Sequence, residues 1–125
     1  MRILHTSITV KDMDESIKFY RDIMGLELQS RREIPQNKAE VAFLGDRESD
    51  ALIELTYWKE KKDWNEGDEL DHLGFSVPDM DEAMRWFREH GVEIAREPYS
   101  LRGSKMRIAF IKDPNGIWLE IIERR

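Results

Sequence analysis

Cysteine is absent from the 125 residues, which excludes disulfides and thiolate metal ligands, so any bound metal has to be held by imidazole and carboxylate. No apolar run approaches the ~18 residues that a membrane-spanning helix needs, and no charged-then-apolar leader opens the chain. The reading is therefore of a soluble, cytoplasmic protein with no membrane partner. No stripe of one charge is present: Lys and Arg are scattered and the formal net charge is -6, which argues against nucleic acid as a partner. Histidine is scarce, with three in the chain, so where each one falls carries information.

Two of the three fall at equivalent places in an internal repeat. Residues 4–28 align on residues 71–94 at an offset of 67, which sets His5 on His72 and Asp12-Met13-Asp14-Glu15 on Asp79-Met80-Asp81-Glu82. The later parts repeat as well, Val41 to Leu44 on Ile108 to Ile111, and Ile53-Glu54-Leu55 on Leu119-Glu120-Ile121 at an offset of 66. A length of 125 residues gives one core, so the chain reads as a single structural domain made by duplication. The first module is placed at 1–58, a charged connector lacking apolar period at 59–69 and the second module at 70–125.

Each copy carries the order β-α-β-β-β, twice over an α+β fold. Ile3 to Val10 alternates as a strand, and Asp12 followed by Glu15 has the pattern of a helix N-cap with a carboxylate three residues on. Met13, Ile17, Tyr20 and Met24 recur at helical spacing until Gly25 ends the helix; Asp79 to Glu82, Met80, Met84, Phe87 and Gly91 repeat the same signals. Strands are predicted over Glu27–Glu33, Glu40–Leu44 and Ala51–Tyr57, and again over Val92–Glu97, Met106–Ile111 and Ile117–Ile122. Asp113-Pro114-Asn115-Gly116 has type I turn chemistry, so the last two strands should form a hairpin, with Gly45 to Asp50 as a looser counterpart. His90, beside Gly91, has no counterpart in the first copy and reads as a partner of the helix C-terminus.

Strand alternation tests whether the repeated residues can meet. His5 shares a face with Ser7 and Thr9, His72 with Gly74 and Ser76, and Glu54 with Thr56, each opposite an apolar face; Glu120 is less clean, sharing its face with Trp118 and Ile122. Taken alone, a strand His is more often structural or exposed, and a strand Glu more often solvated. The matched pairs shift that balance: two His and two Glu related by one pseudo-twofold axis would make a metal site.

The segments MRILHTSITVKDMDESIKFYRDIMGLEL, ALIELTYW, DHLGFSV and KDPNGIWLEIIE resemble the vicinal-oxygen-chelate superfamily and, within it, the glyoxalase I (lactoylglutathione lyase) family, nearly end to end. The resemblance implies two tandem βαβββ modules forming a curved mixed sheet with a metal cleft, and a homodimer whose active sites lie at the subunit interface. It carries His5, Glu54, His72 and Glu120 over as metal ligands. The activity implied is isomerisation of the hemithioacetal of methylglyoxal and a thiol to the S-lactoyl thioester through a metal-bound enediolate, a detoxification of methylglyoxal. Two imidazoles and two carboxylates leave a divalent ion formally neutral, and an octahedral ion keeps two adjacent positions open, which favours nickel or cobalt over zinc. Glu120 is the expected base, with Glu54 the second catalytic carboxylate.

Thr9 and Tyr57-Trp58 stand where related glyoxalases often carry an Arg and an Asn for glutathione, so the thiol is glutathione or another. Arg102, Lys105 and Arg107 form a basic group where the family's substrate-covering loop falls, and Arg102, Lys105 and Thr9 are candidate substrate contacts. Trp58, Trp64 and Trp118 are candidates for an apolar lining. The rival readings are methylmalonyl-CoA epimerase and a ring-cleaving dioxygenase, both disfavoured by Glu54, then a thiol transferase and a metal-free drug-binding protein.

Overall fold

The computed structural model describes residues 1–64, 67, 70–100 and 104–124. The chain divides into two compact units, Met1–Asn65 and Glu66–Arg125.

In the first unit the order is β1 (His5–Thr9), α1 (Met13–Lys18), β2 (Glu27–Ile34), β3 (Ala39–Gly45) and β4 (Leu52–Trp58). They form a four-stranded mixed sheet in the order β1-β4-β3-β2, with β1 parallel to β4 and the other pairs antiparallel. Asp12 caps α1 by accepting from the Glu15 N–H at 2.8 Å, as its position before the apolar stripe predicts. Ile8, Val10, Met13, Ile17, Tyr20, Ala42, Leu44 and Leu55 are buried together as the core. The first strand begins at His5 rather than Ile3, whose side chain is exposed, as is that of Leu4.

The first helix departs from the single regular helix that the spacing predicts. After Lys18 it widens into a π-helical turn, Phe19–Ile23, closed by Met24 N–H to the Phe19 carbonyl at 3.0 Å. Phe19 and Tyr20 are both buried and pack edge to face at 5.1 Å. Successive side chains of a regular helix diverge by about 100°, so two adjacent aromatic rings reach one core more readily from a wider turn. Gly25, at φ 77°, then ends the segment as foreseen.

The second unit repeats the plan with β5 (Leu73–Val77), α2 (Met80–Glu89), β6 (Glu93–Ser100), β7 (Arg107–Lys112) and β8 (Trp118–Glu123). Its sheet order is β5-β8-β7-β6, with β5 parallel to β8. Asp79 caps α2 through the Glu82 N–H at 2.9 Å, Gly91 leaves the helix at φ 68°, and His90 Nδ1 donates to the Trp86 carbonyl at 2.8 Å. The predicted hairpin joins β7 to β8: the Asp113 carboxylate accepts from the N–H groups of Asn115 and Ile117, and Gly116 sits at φ 88°. Met80, Met84, Phe87, Ile111, Leu119 and Ile121 make this core.

In each unit an arginine ties the helix to the sheet. Arg31 on β2 reaches Asp14 at 2.6 Å and also pairs with Glu40. Arg107 on β7 reaches Asp81 at 2.9 Å and Glu123 at 3.1 Å, and the buried Glu123 carboxylate also accepts from the Met80 N–H at 2.7 Å. Arg107 is therefore committed to the fold, which removes it from the loose basic group expected around Gly103.

Candidate metal centre

The parallel pairing of β1 with β4 sets Ser7 opposite Glu54, and His5, two residues back, lies on the same face. His5 Nε2 stands 4.0 Å from Glu54 Oε2. In the second unit Gly74 lies opposite Glu120, and His72 Nε2 is 3.0 Å from Glu120 Oε2. The ambiguity over the Glu120 face is thereby resolved in favour of the imidazole side. The glutamate side chains are about 20% exposed and the histidines 33–40%, so each pair is half-buried yet within reach of an incoming ion.

On its other flank each glutamate faces a phenylalanine: Phe43 is the cross-strand partner of Glu54, and Phe110 that of Glu120. Phe43 packs edge-on to His5 at 5.3 Å and Phe110 edge-on to His72 at 5.6 Å. The imidazole is thus held between an apolar ring and a carboxylate, which restricts its rotation. Neither phenylalanine is singled out by chemistry from sequence, although both lie at the repeat offset within Val41 to Leu44 and Ile108 to Ile111.

The pairs differ in what stands behind them. His72 Nδ1 lies 2.7 Å from an Asp71 carboxylate oxygen, and this hydrogen bond, together with the Glu120 charge, raises the His72 pKa against the opposing effect of desolvation. With Nδ1–H donated to Asp71, Nε2 is the nitrogen left for a metal, which would take the place of the proton that Nε2 shares with Glu120 Oε2. In the first unit the carboxylate is the supported partner instead. The Thr56 hydroxyl donates to Glu54 Oε1 at 3.2 Å, and Ser7 Oγ lies 3.0 Å from Thr56 Oγ1.

The donor chemistry fits a divalent cation of the kind that takes nitrogen and oxygen ligands. Each unit brings one imidazole nitrogen and one carboxylate oxygen together on neighbouring strands. Among the described residues no three His, Asp or Glu side chains are placed to hold one metal ion, so what each unit supplies is two ligands. Thr9 ends β1 on the His5 face, opposite Thr56. Lys105 is exposed and lines an open depression with Met106, Glu123 and Arg124, while Arg102 lies outside the described residues. Trp118 packs on Phe110 at 5.5 Å with Lys112 Nζ over its ring, and like Trp58 and Trp64 it is exposed.

A glutamate–histidine pair on β1/β4, its repeat on β5/β8 and the β-α-β-β-β order agree with what is found among known proteins. The family model of the Glyoxalase/Bleomycin resistance protein/Dioxygenase superfamily matches residues 2–121, and the chain belongs to that family. Within it, the lactoylglutathione lyase of Haemophilus influenzae is 41% identical over all of this chain and 94% of its own length. The probable lactoylglutathione lyase of Vibrio cholerae is 37% identical over 99% of this chain and 91% of its own. Among solved structures, glyoxalase I from Zea mays superposes at a TM-score of 0.88 with 32% identity, covering 98% of this chain. This chain spans less than half of the maize chain, 44% of its length. The trypanothione-dependent glyoxalase I of Leishmania major gives 0.83 and 32%, over 98% of this chain and 86% of that one.

Proposed function

We propose that this enzyme of glyoxalase I type isomerises the hemithioacetal of methylglyoxal and a thiol to the S-lactoyl thioester, using one divalent ion held by His5, Glu54, His72 and Glu120. The observation that carries the reading is the repeated imidazole–carboxylate pair, 4.0 Å apart on β1/β4 and 3.0 Å apart on β5/β8. Two ligands hold a divalent ion weakly, and the repeat doubles them, so a pair from each module makes a set of four. The modules are 1–58 and 70–125, joined by 59–69. The complete set forms at the interface of a homodimer, as the family resemblance implies, in the cytoplasm. Nickel or cobalt suits four N/O ligands with two positions left open better than zinc does.

When bound, the ion supplies electrostatic stabilisation for the negative charge that develops on the two substrate oxygens as the proton leaves. Glu120 takes the proton from the carbon that bears the hydroxyl and the sulfur, and returns it to the neighbouring carbon that began as the ketone. The hydroxyl proton moves between the two oxygens, so the product is an isomer and no oxidant or reductant is consumed. Glu54 would be the second catalytic carboxylate and one of the four groups that hold the ion. His72, oriented by Asp71, and His5, braced by Phe43, hold the nitrogen side. Thr9, Lys105 and Arg102 are the substrate contacts, and the cosubstrate is glutathione or a thiol that does not require an arginine at position 9.

Relatives that cover the whole chain carry the lyase name, which disfavours the epimerase, dioxygenase, thiol-transferase and drug-binding alternatives. The test is an isomerase assay with methylglyoxal and a panel of thiols, on chelated protein refilled separately with nickel, cobalt, zinc and manganese. Thioester formation should depend on added ion and be highest with nickel or cobalt. No turnover with any thiol and any ion overturns the reading.

A further inference from the structure

The two glutamates occupy equivalent places but unequal surroundings. Glu54 lies opposite Ser7 on β1 and two residues before Thr56 on its own strand. The hydroxyls form a relay: Ser7 Oγ is 3.0 Å from Thr56 Oγ1, which donates to Glu54 Oε1 at 3.2 Å. With the Thr56 proton directed to the carboxylate, the Ser7 hydroxyl supplies the proton to Thr56, so both hydroxyls orient along one chain. That leaves Glu54 Oε2 as the oxygen that faces His5 Nε2. Thr56 is 6% exposed, so its β-branched side chain has little room to leave the relay.

At the equivalent places in the second unit stand Gly74 and Ile122, neither of which can hydrogen-bond through a side chain. The geometry confirms the equivalence, because a Cβ at Gly74 would lie 3.8 Å from Glu120 Oε2 and 4.0 Å from Ile122 Cδ1. Among the described residues Glu120 has no hydroxyl partner, and its contact is His72 Nε2 at 3.0 Å. One carboxylate is therefore held from behind by a hydroxyl relay, while the other has the His72 imidazole on one oxygen and no hydroxyl of this kind beside it.

We propose that Ser7 and Thr56 are positioning residues that hold Glu54 in its ligand orientation, and that Gly74 and Ile122, by withholding the same relay, leave the base Glu120 tied only through His72. This inference rests on the four-ligand reading above and explains why two carboxylates of the same type would divide into ligand and base. A hydrogen bond to a charged group favours the orientation that makes it, so removing the relay should loosen Glu54, and adding one should tether Glu120.

The test uses the full chain and two readouts: cobalt affinity by competition with a chromophoric chelator, and kcat and KM at saturating cobalt. Thr56→Val keeps the shape and deletes the hydroxyl, and should weaken cobalt binding by about tenfold or more, while Thr56→Ser keeps the hydroxyl and should stay within about twofold of the parent. Ser7→Ala, at an exposed position, should weaken binding by about threefold and reads the same relay if Thr56→Val fails to fold. Ile122→Thr supplies the missing hydroxyl beside Glu120 and should lower kcat at saturating cobalt by about tenfold with KM little changed. Equal cobalt affinity in Thr56→Val and the parent, or equal weakening in Thr56→Val and Thr56→Ser, overturns the relay. Full kcat in Ile122→Thr overturns the claim that Glu120 must be free of the relay. Failure of the parent to bind cobalt at all removes the four-ligand reading itself, an outcome distinct from the others.

Discussion

The helix–sheet ties of the two units are made from the same parts in different places. Asp14 and Asp81 occupy equivalent positions in their helices, and each meets an arginine. The arginines are not equivalent: Arg31 comes from β2 and finds Glu40, whereas Arg107 comes from β7, at the repeat position of Glu40 itself, and finds Glu123. A carboxylate on the helix fixes the need for a cation above it, and either neighbouring strand can supply one. The imidazole–carboxylate pairs behave in the opposite way, with His, Phe and Glu at matching positions in both halves. Where an interaction needs only charge, its residues can be redistributed between halves. Where it needs a defined donor atom in a defined direction, both halves hold the same residue in the same place.

Glutamate replacement at the two pairs gives the largest expected contrast. Glu120→Gln should reduce turnover by roughly 100- to 10,000-fold at saturating metal, because a carboxamide cannot accept the proton, and steady-state kinetics with cobalt or nickel would read it. Full activity in that variant would dissolve the distinction between the two carboxylates.

Core truncation should treat the halves alike. Leu44 and Ile111 are equivalent and fully buried, so Leu44→Ala and Ile111→Ala should each cost about 2–5 kcal/mol in urea unfolding. A difference between them larger than about 2 kcal/mol would mean that one unit carries most of the stability.

Smallest of the three is the contrast between the arginine ties. Arg107→Met leaves the buried Glu123, 7% exposed, with the Met80 N–H but no cation, while Arg31→Met leaves the less buried Glu40, 15% exposed, and the exposed Asp14, so the first should lower the melting temperature more at neutral pH. Arg107 holds the Asp81 carboxyl below its ordinary value of 3.8. A carboxyl lowered in the folded state adds stability above its unfolded pKa and loses it as pH falls through the folded one. The melting difference between parent and Arg107→Met should therefore narrow as the pH drops below about 3.8. A difference independent of pH would assign the effect to packing of the arginine stem.

Local chemistry made much of this architecture legible in advance. Asp12, Asp79 and the Asp113 turn act on N–H groups two to four residues away, and the strands and helix stripes depend on side-chain period alone. The His and Glu positions were legible because a repeat compares the chain with itself. What escaped depends on register between strands distant in sequence. Alternation sets Ser7 on the His5 face and Thr56 on the Glu54 face, but nothing joins these two, or Phe43 to His5, until β1 and β3 are laid against β4. Glu120 was ambiguous because Trp118 and Ile122 share its face, and only the pairing with β5 brings His72 beside it. The π-helical turn was hidden for another reason: Phe19 and Tyr20 fit an ordinary helical stripe individually, and the conflict arises only when both rings must be buried.

Each imidazole–carboxylate pair joins residues 48 or 49 positions apart, on strands that touch only once a parallel register has formed. The unfolded chain holds the same groups at arm's length and can offer them to an ion only one at a time. On the four-ligand reading, occupancy and folding are then one linked equilibrium: free ion at a hundred times its dissociation constant adds about 2.7 kcal/mol to the native side. Chelation would withdraw the same amount, so a sequestering agent acts on this molecule as a mild denaturant as well as an inhibitor.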